Sequence, residues 1–193
     1  LPARVAVVGG GPAGLMAADV LSEHGFAVDL YDAMPSVGRK FLLAGKGGLN
    51  LTHSEPSDIF ASRFGARRSA VDPWLQDFGA EQVRAWAQSL GVETFVGTSG
   101  RVFPSDMKAA PLLRAWLHRM RHGTPGGRTA VNFHMRHRWS GWCADGVGLQ
   151  FETPQGQVQV SPDAVVLALG GASWSRLGSD GAWVPLLAER GVV

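Results

Sequence analysis

The chain has 193 residues, 45% of them hydrophobic and 18% charged, enough apolar side chain to bury a substantial core. Its 18 Lys and Arg against 16 Asp and Glu leave a formal charge of +2, a balance that suits an anionic ligand without the basic excess of a dedicated nucleic-acid binder. The single Cys143 excludes an internal disulfide or a cysteine metal cluster; no apolar run approaches the roughly 20 residues of a membrane span, and no leader pattern precedes the first apolar run, so a globular cytoplasmic protein is expected.

Residues 4 to 8 are apolar and β-branched, which predicts a strand, and Pro12 to His24 follows as a helix that Gly25 ends. The spacing of Ala13, Ala17, Val20 and Leu21 predicts the sheet-facing side of that helix. "FAVDLYD" supplies a second strand. Asp72 and Pro73 predict the N-cap and first turn of a short helix, and Val83, Trp86, Ala87 and Leu90 repeat at helical spacing up to Gly91. "TFVGTSGRVFP" predicts a hairpin, and Leu112, Leu113, Trp116, Leu117 and Met120 an amphipathic helix beginning near Pro111. A strand over 129–135 precedes three short strands, Trp139 to Cys143, Val147 to Phe151 and Gln157 to Val160, joined by "ADG" and "TPQG" turns into an antiparallel meander in which Cys143 is a buried strand residue. "DAVVLALGG" closes the pattern as another buried strand. The alternation predicts a layered α/β fold with a central parallel sheet.

Gly9, Gly11 and Gly14 fit G-x-G-x-x-G at a strand-to-helix junction, where missing side chains let backbone amides approach a pyrophosphate and the helix N-terminus faces its charge. Asp32 closes the second strand 18 positions after Gly14, where a carboxylate accepts hydrogen bonds from a ribose diol. A turn selected for packing alone explains Gly14 but not the whole set, and Asp32 taken singly reads equally as a solvated strand-end residue. Both flavin and nicotinamide cofactors carry the same adenosine diphosphate half, so the glycines do not separate them. Beyond Asp32, Arg39 and Lys40 are followed by a loop with Gly45, Gly47 and Gly48 that ends in Asn50, Thr52 and His53, a loop able to pass close to a flat ring or to lie on the surface.

The blocks "GGGPAGLMAA", "GRKFLLAGKGGLNLTH", "GRVFPSDMKAAPLLRAWL" and "LALGGASWSRLGSDGAW" occur in that order over nearly the whole chain, and the second and fourth are the specific ones. In them the chain resembles the YhiN-type, BaiN-like flavoproteins, a group that includes aminoacetone oxidase-like enzymes. The resemblance implies an FAD-binding Rossmann-like domain of the glutathione-reductase, two-dinucleotide-binding type over 1–193, with a helical and hairpin insertion at about 55–122 and the meander at about 138–160. It implies that Gly9, Gly11, Pro12, Ala13 and Gly14 hold the pyrophosphate and Asp32 the adenosine ribose. Further cofactor contacts are implied at Ala33, Arg39, Lys40, Gly47, Gly48, Asn50, Thr52, Trp139, Gly170, Gly171 and Ser173, with Ser179 and Asp180 near the pyrophosphate or serving as a helix cap. Many members read Gly-Gly-Gly-Arg-Cys-Asn where this chain has Gly45 to Asn50, so an arginine and a cysteine are absent and Lys46 is the available cation. Family chains also continue into a substrate domain and a closing flavin-domain segment that these residues do not include.

The expected activity is an FAD-dependent oxidoreductase that passes hydride through flavin N5, with NAD(P)H as reductant or a small organic molecule as substrate. Lys46, or amides of the Gly47 to Asn50 loop, would stabilise charge on the reduced ring, and His53 would donate a proton. No metal site is expected: His118 and His122 stand four apart on a helix without a third ligand. The competing readings are an oxygen-using amine oxidase, a non-catalytic dinucleotide-binding module, and nucleic-acid contact through "RHRWSGW", which its place in the meander disfavours.

Overall fold

The computed structural model describes residues 2–44, 47–125, 127–178 and 180–192. In chain order the elements are β1 (Arg4–Val8), α1 (Pro12–Glu23), β2 (Ala27–Asp32), α2 (Arg39–Leu43), β3 (Thr52–His53), α3 (Ser57–Ser62), α4 (Arg68–Asp77) and α5 (Ala80–Ser89). They continue with β4 (Thr94–Val96), β5 (Arg101–Pro104), α6 (Ala109–His122), β6 (Val131–Met135), β7 (Arg138–Trp142), β8 (Leu149–Thr153), β9 (Gly156–Val160), β10 (Ala164–Leu167) and α7 (Trp183–Ala188). Two compact units result, one formed by Leu1–Phe41 with His118–Val193, the other by Leu42–Leu117.

In the first unit the strands order as β10-β1-β2-β6, all parallel, with Val5 to Val8 registered against Ala164 to Leu167 on one side and Val28 to Tyr31 on the other. Alternation along the strands splits the buried side chains between two faces. Ala6, Val8 and Tyr31 pack with Trp139, Leu149 and Phe151 of the antiparallel meander β7-β8-β9, where the Tyr31 and Phe151 rings stack at 4.4 Å. Val5, Val7, Val28 and Leu30 point to the other face, which α1 covers with Leu15 and Ala18. The expected parallel sheet with a meander is therefore observed.

Four local expectations are corrected. The buried side of α1 is Gly14, Leu15, Ala18, Asp19 and Ser22, while Ala13 and Val20 are exposed. The helix is rotated because its polar residues have buried partners: Ser22 donates to the Thr129 carbonyl at 2.6 Å, and Asp19 meets Arg119 and, at 2.5 Å, Arg128. Helix α4 begins at Arg68 with Pro73 inside it, because Asp72 pairs with Arg68 one turn earlier rather than capping a new helix. Cys143 is half-buried and lies past the end of β7, its N–H donating to the Gly148 carbonyl at 2.7 Å in the turn. Asp145 Oδ1 accepts the N–H groups of Val147 and Gly148, which delays β8 to Leu149.

The second unit contains the antiparallel sheet β3-β5-β4 and the helices α3, α4 and α5. Its core centres on Trp116, 1% exposed, whose ring meets Trp86 edge-on at 4.7 Å beside fully buried Leu112, Ala87 and Val102. These tryptophans are core, as their helical spacing implies.

The sheet also carries a pH-sensitive contact. Burial raises the Asp29 carboxyl, but hydrogen bonds from His134, Arg4 and Asn132 outweigh it and leave the group below its ordinary 3.8. A carboxyl lowered in the folded state adds stability above the unfolded value and loses it as pH falls through the folded one. Asp29→Asn is therefore expected to cost about 1 kcal/mol or less at pH 7, and urea titrations are expected to show a smaller loss of stability at acid pH in the variant than in the parent protein.

Candidate functional site

The site grows from how β1 ends. Gly9 takes φ +108°, and a Cβ there would stand 2.2 Å from the Ala168 carbonyl oxygen at the end of β10. A Cβ on Gly14 would stand 1.8 Å from the Gly9 carbonyl oxygen, so Gly9 and Gly14 are glycines because backbone packs on backbone. Gly11 differs: its φ of −78° suits any residue, and no protein atom lies within 4 Å of where its Cβ would be. Packing does not explain that glycine, and the space beside it is open to a ligand. The hydrogen-bond ladder of α1 starts with the Leu15 N–H to the Gly11 carbonyl, leaving the amides of Ala13 and Gly14 outside it at the positive end of the helix.

Beside this turn lies a hollow of about 390 Å³, within the range of small-molecule sites. It opens at the C-terminal ends of β1, β2 and β10, where the chain order reverses on either side of β1, the position at which open parallel sheets bind ligands. Gly9, Gly10, Gly11, Pro12 and Ala13 form one wall, and Asp32, Ser36, Gly38, Arg39 and Lys40 another. Leu167, Leu169, Leu177, Trp183 and Leu187 make the apolar side. Asp32 Oδ2 accepts the Gly10 N–H at 2.6 Å and Oδ1 the Met34 N–H at 2.7 Å. Burial raises its carboxyl above the ordinary value, against the Met34 and Gly10 hydrogen bonds and the charge of Arg39, which lower it. Lys40 Nζ donates to Ser173 Oγ at 3.2 Å. The hollow thus offers helix-terminal amides and two cations for an anion, a carboxylate for hydroxyl donors, and an apolar flank.

Of the residues singled out in the sequence, Gly9, Gly11, Pro12, Ala13, Asp32, Arg39, Lys40 and Gly170 line this hollow, with Gly14 directly beneath Gly9. Ala33 and Gly171 adjoin lining residues without lining it, and exposed Ser173 reaches it through Lys40. Trp139 is a correction: it is 8% exposed in the cluster with Phe151, behind the wall that Trp183 and Leu187 provide. Trp142 packs edge-on to it at 4.8 Å, Arg190 lies over the Trp142 ring, and Arg138 pairs with Asp180, so these side chains of "RHRWSGW" have partners within the unit. Asp180 also accepts the Ala182 N–H in the turn ahead of α7, whose N-cap is Ala182 itself with no side-chain cap. Ser179 and Lys46 lie outside the described residues.

Gly47, Gly48, Asn50, Thr52 and His53 belong to the second unit. A Cβ on Gly48, at φ +123°, would meet Met107 Cε at 2.3 Å, whereas one on Gly47 would meet nothing. The Leu49 and Leu51 amides donate to the Met107 and Val102 carbonyls, laying this segment along β5. His53 has both ring nitrogens engaged, Nε2 with the Ser99 carbonyl at 3.1 Å and Nδ1 with the Glu55 N–H at 3.2 Å. Sequence reasoning missed Gly10, Trp183 and Leu187 among the lining residues; the third glycine in "GGG" was the available signal for the first of these. Among the described residues no group of three or more His, Cys, Asp or Glu is placed to hold a metal ion, and no helix is long and apolar enough to cross a membrane.

Known proteins share the fold of this chain. The chain is 27% identical over 191 residues to the 3-dehydro-bile acid delta(4,6)-reductase of Clostridium scindens, a match over 97% of this chain and 44% of that protein. The open conformation of a flavocytochrome c3 fumarate reductase superposes with a TM-score of 0.69 at 20% identity, over 97% of this chain and 40% of that one. The 3-ketosteroid-delta4-(5alpha)-dehydrogenase of Rhodococcus jostii RHA1, in complex with 4-androstene-3,17-dione, superposes with a TM-score of 0.58 at 17% identity, over 88% and 46% of the two chains. The chain spans less than half the length of each of these proteins. A family profile, the HI0933-like protein Rossmann domain, matches residues 3–193, and the chain belongs to that family.

Proposed function

We propose that these residues form the FAD-binding part of an oxidoreductase acting on a small organic molecule, with NAD(P)H as the reductant. The observation that carries the reading is the division among the glycines: Gly9 and Gly14 are required by backbone contact, while Gly11 faces open space on a hollow that also contains Asp32. That space fits a diphosphate, which the amides of Gly11, Ala13 and Gly14 would hold, with Arg39 and Lys40 adding charge. Asp32 would take the adenosine ribose, its carboxylate accepting from the hydroxyls. The apolar flank of Leu167, Leu169 and Trp183 excludes water on the remaining side. When bound, a flavin supplies a two-electron acceptor. The segment from Lys46 to Asn50 is the proposed support for negative charge on the ring, through the Lys46 ammonium or its own amides. For His53, the engagement of both ring nitrogens favours a positioning role over proton donation. The similarity to a 3-dehydro-bile acid delta(4,6)-reductase supports the class of reaction.

The full-length protein is expected to purify yellow, with a flavin absorption spectrum that NADPH or NADH bleaches without oxygen. A colourless protein that also fails to take up added FAD would overturn the reading. Bleaching by an amine substrate but not by NAD(P)H would assign an oxidase in place of a reductase.

A further inference from the structure

Gly10 holds one of the variable positions of the glycine motif, yet both its backbone groups and the space beside it are taken. Its N–H donates to Asp32 Oδ2 at 2.6 Å, and its carbonyl accepts the Gly38 N–H at 2.8 Å. A Cβ on it would fall 2.4 Å from Val37 Cγ1 and 2.9 Å from Asp32 Oδ2, so the carboxylate and Val37 occupy the space a side chain would need. The other carboxylate oxygen, Oδ1, accepts the Met34 N–H at 2.7 Å. The backbone that carries this carboxylate is anchored in turn: the Asp32 carbonyl accepts the His137 N–H at 2.9 Å, and the Met34 carbonyl accepts the Arg136 N–H at 3.1 Å. One side chain thus ties the end of β1 to the segment after β2, and the turn between β6 and β7 braces it.

We propose that Asp32 is a positioning residue that sets the glycine turn before any nucleotide arrives, pinning the Gly10 amide so that those of Gly11, Ala13 and Gly14 stay free to face the hollow. The purpose of this latch rests on the nucleotide reading above; the latch itself does not. A carboxylate has about four acceptor lone pairs, so holding two amides leaves one on each oxygen for a ribose hydroxyl, and the two roles are compatible. Burial raises the Asp32 carboxyl above its ordinary value, and the Met34 and Gly10 amides and Arg39 hold it back. The charged or titratable side chains around it are Arg39 and Lys40 on the hollow side, with Arg136 and His137 on the bracing turn.

The test is amide NMR on the full chain freed of nucleotide. The Gly10 and Met34 amide protons are expected to move together with the Asp32 carboxyl carbon through one pH titration, because both donate to the group that ionises. In Asp32→Asn, whose single carboxamide oxygen replaces two acceptors, hydrogen exchange at Gly10 or Met34 is expected to rise at least tenfold; in Asp32→Ala it rises at both. Amides that ignore the titration, or exchange unchanged in both variants, would overturn the proposal. Should neither variant fold, the wild-type titration decides alone. ADP binding is measured separately: titrating amides in a chain that does not bind ADP uphold the latch and remove the nucleotide reading, and ADP binding without the titration does the reverse.

Discussion

Valine in place of Gly14 is expected to cost the fold more than about 4 kcal/mol, the range reached only by severe core or backbone defects. The first side-chain carbon would stand 1.8 Å from the Gly9 carbonyl oxygen and 3.0 Å from its carbon, and neither belongs to a side chain that can rotate away. Gly9 cannot retreat, because it is wedged against Ala168 at the end of β10 and its N–H is bonded to the Tyr31 carbonyl at 2.8 Å. A domain of this size has about 5–15 kcal/mol in total, so Gly14→Val is expected to be largely unfolded at 37 °C by circular dichroism. Gly11→Ala should behave in the opposite way. Its backbone is extended, its methyl group meets no protein atom, and loss of glycine at this N-cap position costs about 1 kcal/mol or less. Yet that methyl stands where the proposed diphosphate would come closest, and ADP affinity measured by calorimetry is expected to fall at least tenfold, about 1.4 kcal/mol. A folded Gly11→Ala chain that binds ADP like the parent would remove the diphosphate from this turn.

That contrast also marks how far the sequence could be read. The strand, turn, helix and second strand from Arg4 to Asp32 were legible because each depends on local pattern: a β-branched run, glycines at a fixed spacing, then an acidic strand end. The meander was legible for the same reason, since its turns are written in neighbouring residues. What failed depended on partners distant in the chain. Asp19 and Ser22 look like solvent-facing residues of α1, and only Arg119, Arg128 and Thr129, more than 95 positions later, make it favourable to bury them. Trp139 sits at a strand position that alternates toward an inner face, but which face meets the hollow is decided by Tyr31 and Phe151 stacking behind the wall. Gly10 passed as a spacer because the demand on it comes from Val37 and Asp32, which the glycine pattern does not contain.

Removing the carboxylate of Asp19 is expected to be nearly as damaging as the Gly14 substitution, by a different physical route. Asp19 is 3% exposed in the middle of α1 and faces two guanidinium groups, Arg119 from α6 and Arg128 from the approach to β6. Arg128 also donates to the Asp19 backbone carbonyl at 2.6 Å and pairs with Glu23 at 3.2 Å, so the cluster fastens α1 to both following segments of its unit. Asp19→Ala leaves these cations close together and mostly dehydrated, and losing one partner of a buried pair costs about 3–5 kcal/mol. The expected result in urea is a lower midpoint with an unchanged slope. Adding Arg119→Met to Asp19→Ala should cost less than Arg119→Met alone, since its ion pair with Asp19 is already gone. The hollow lies at the other end of α1, so the variant should still bind ADP when folded. ADP at 100 times its dissociation constant would then return about 2.7 kcal/mol of stability by mass action. At that ADP concentration a tenfold loss of affinity leaves Gly11→Ala about 1.4 kcal/mol or less, so thermal melts of Asp19→Ala should rise with ADP at least about twice as far as those of Gly11→Ala, and the reverse order would mean that α1 does not present its N-terminus to the ligand.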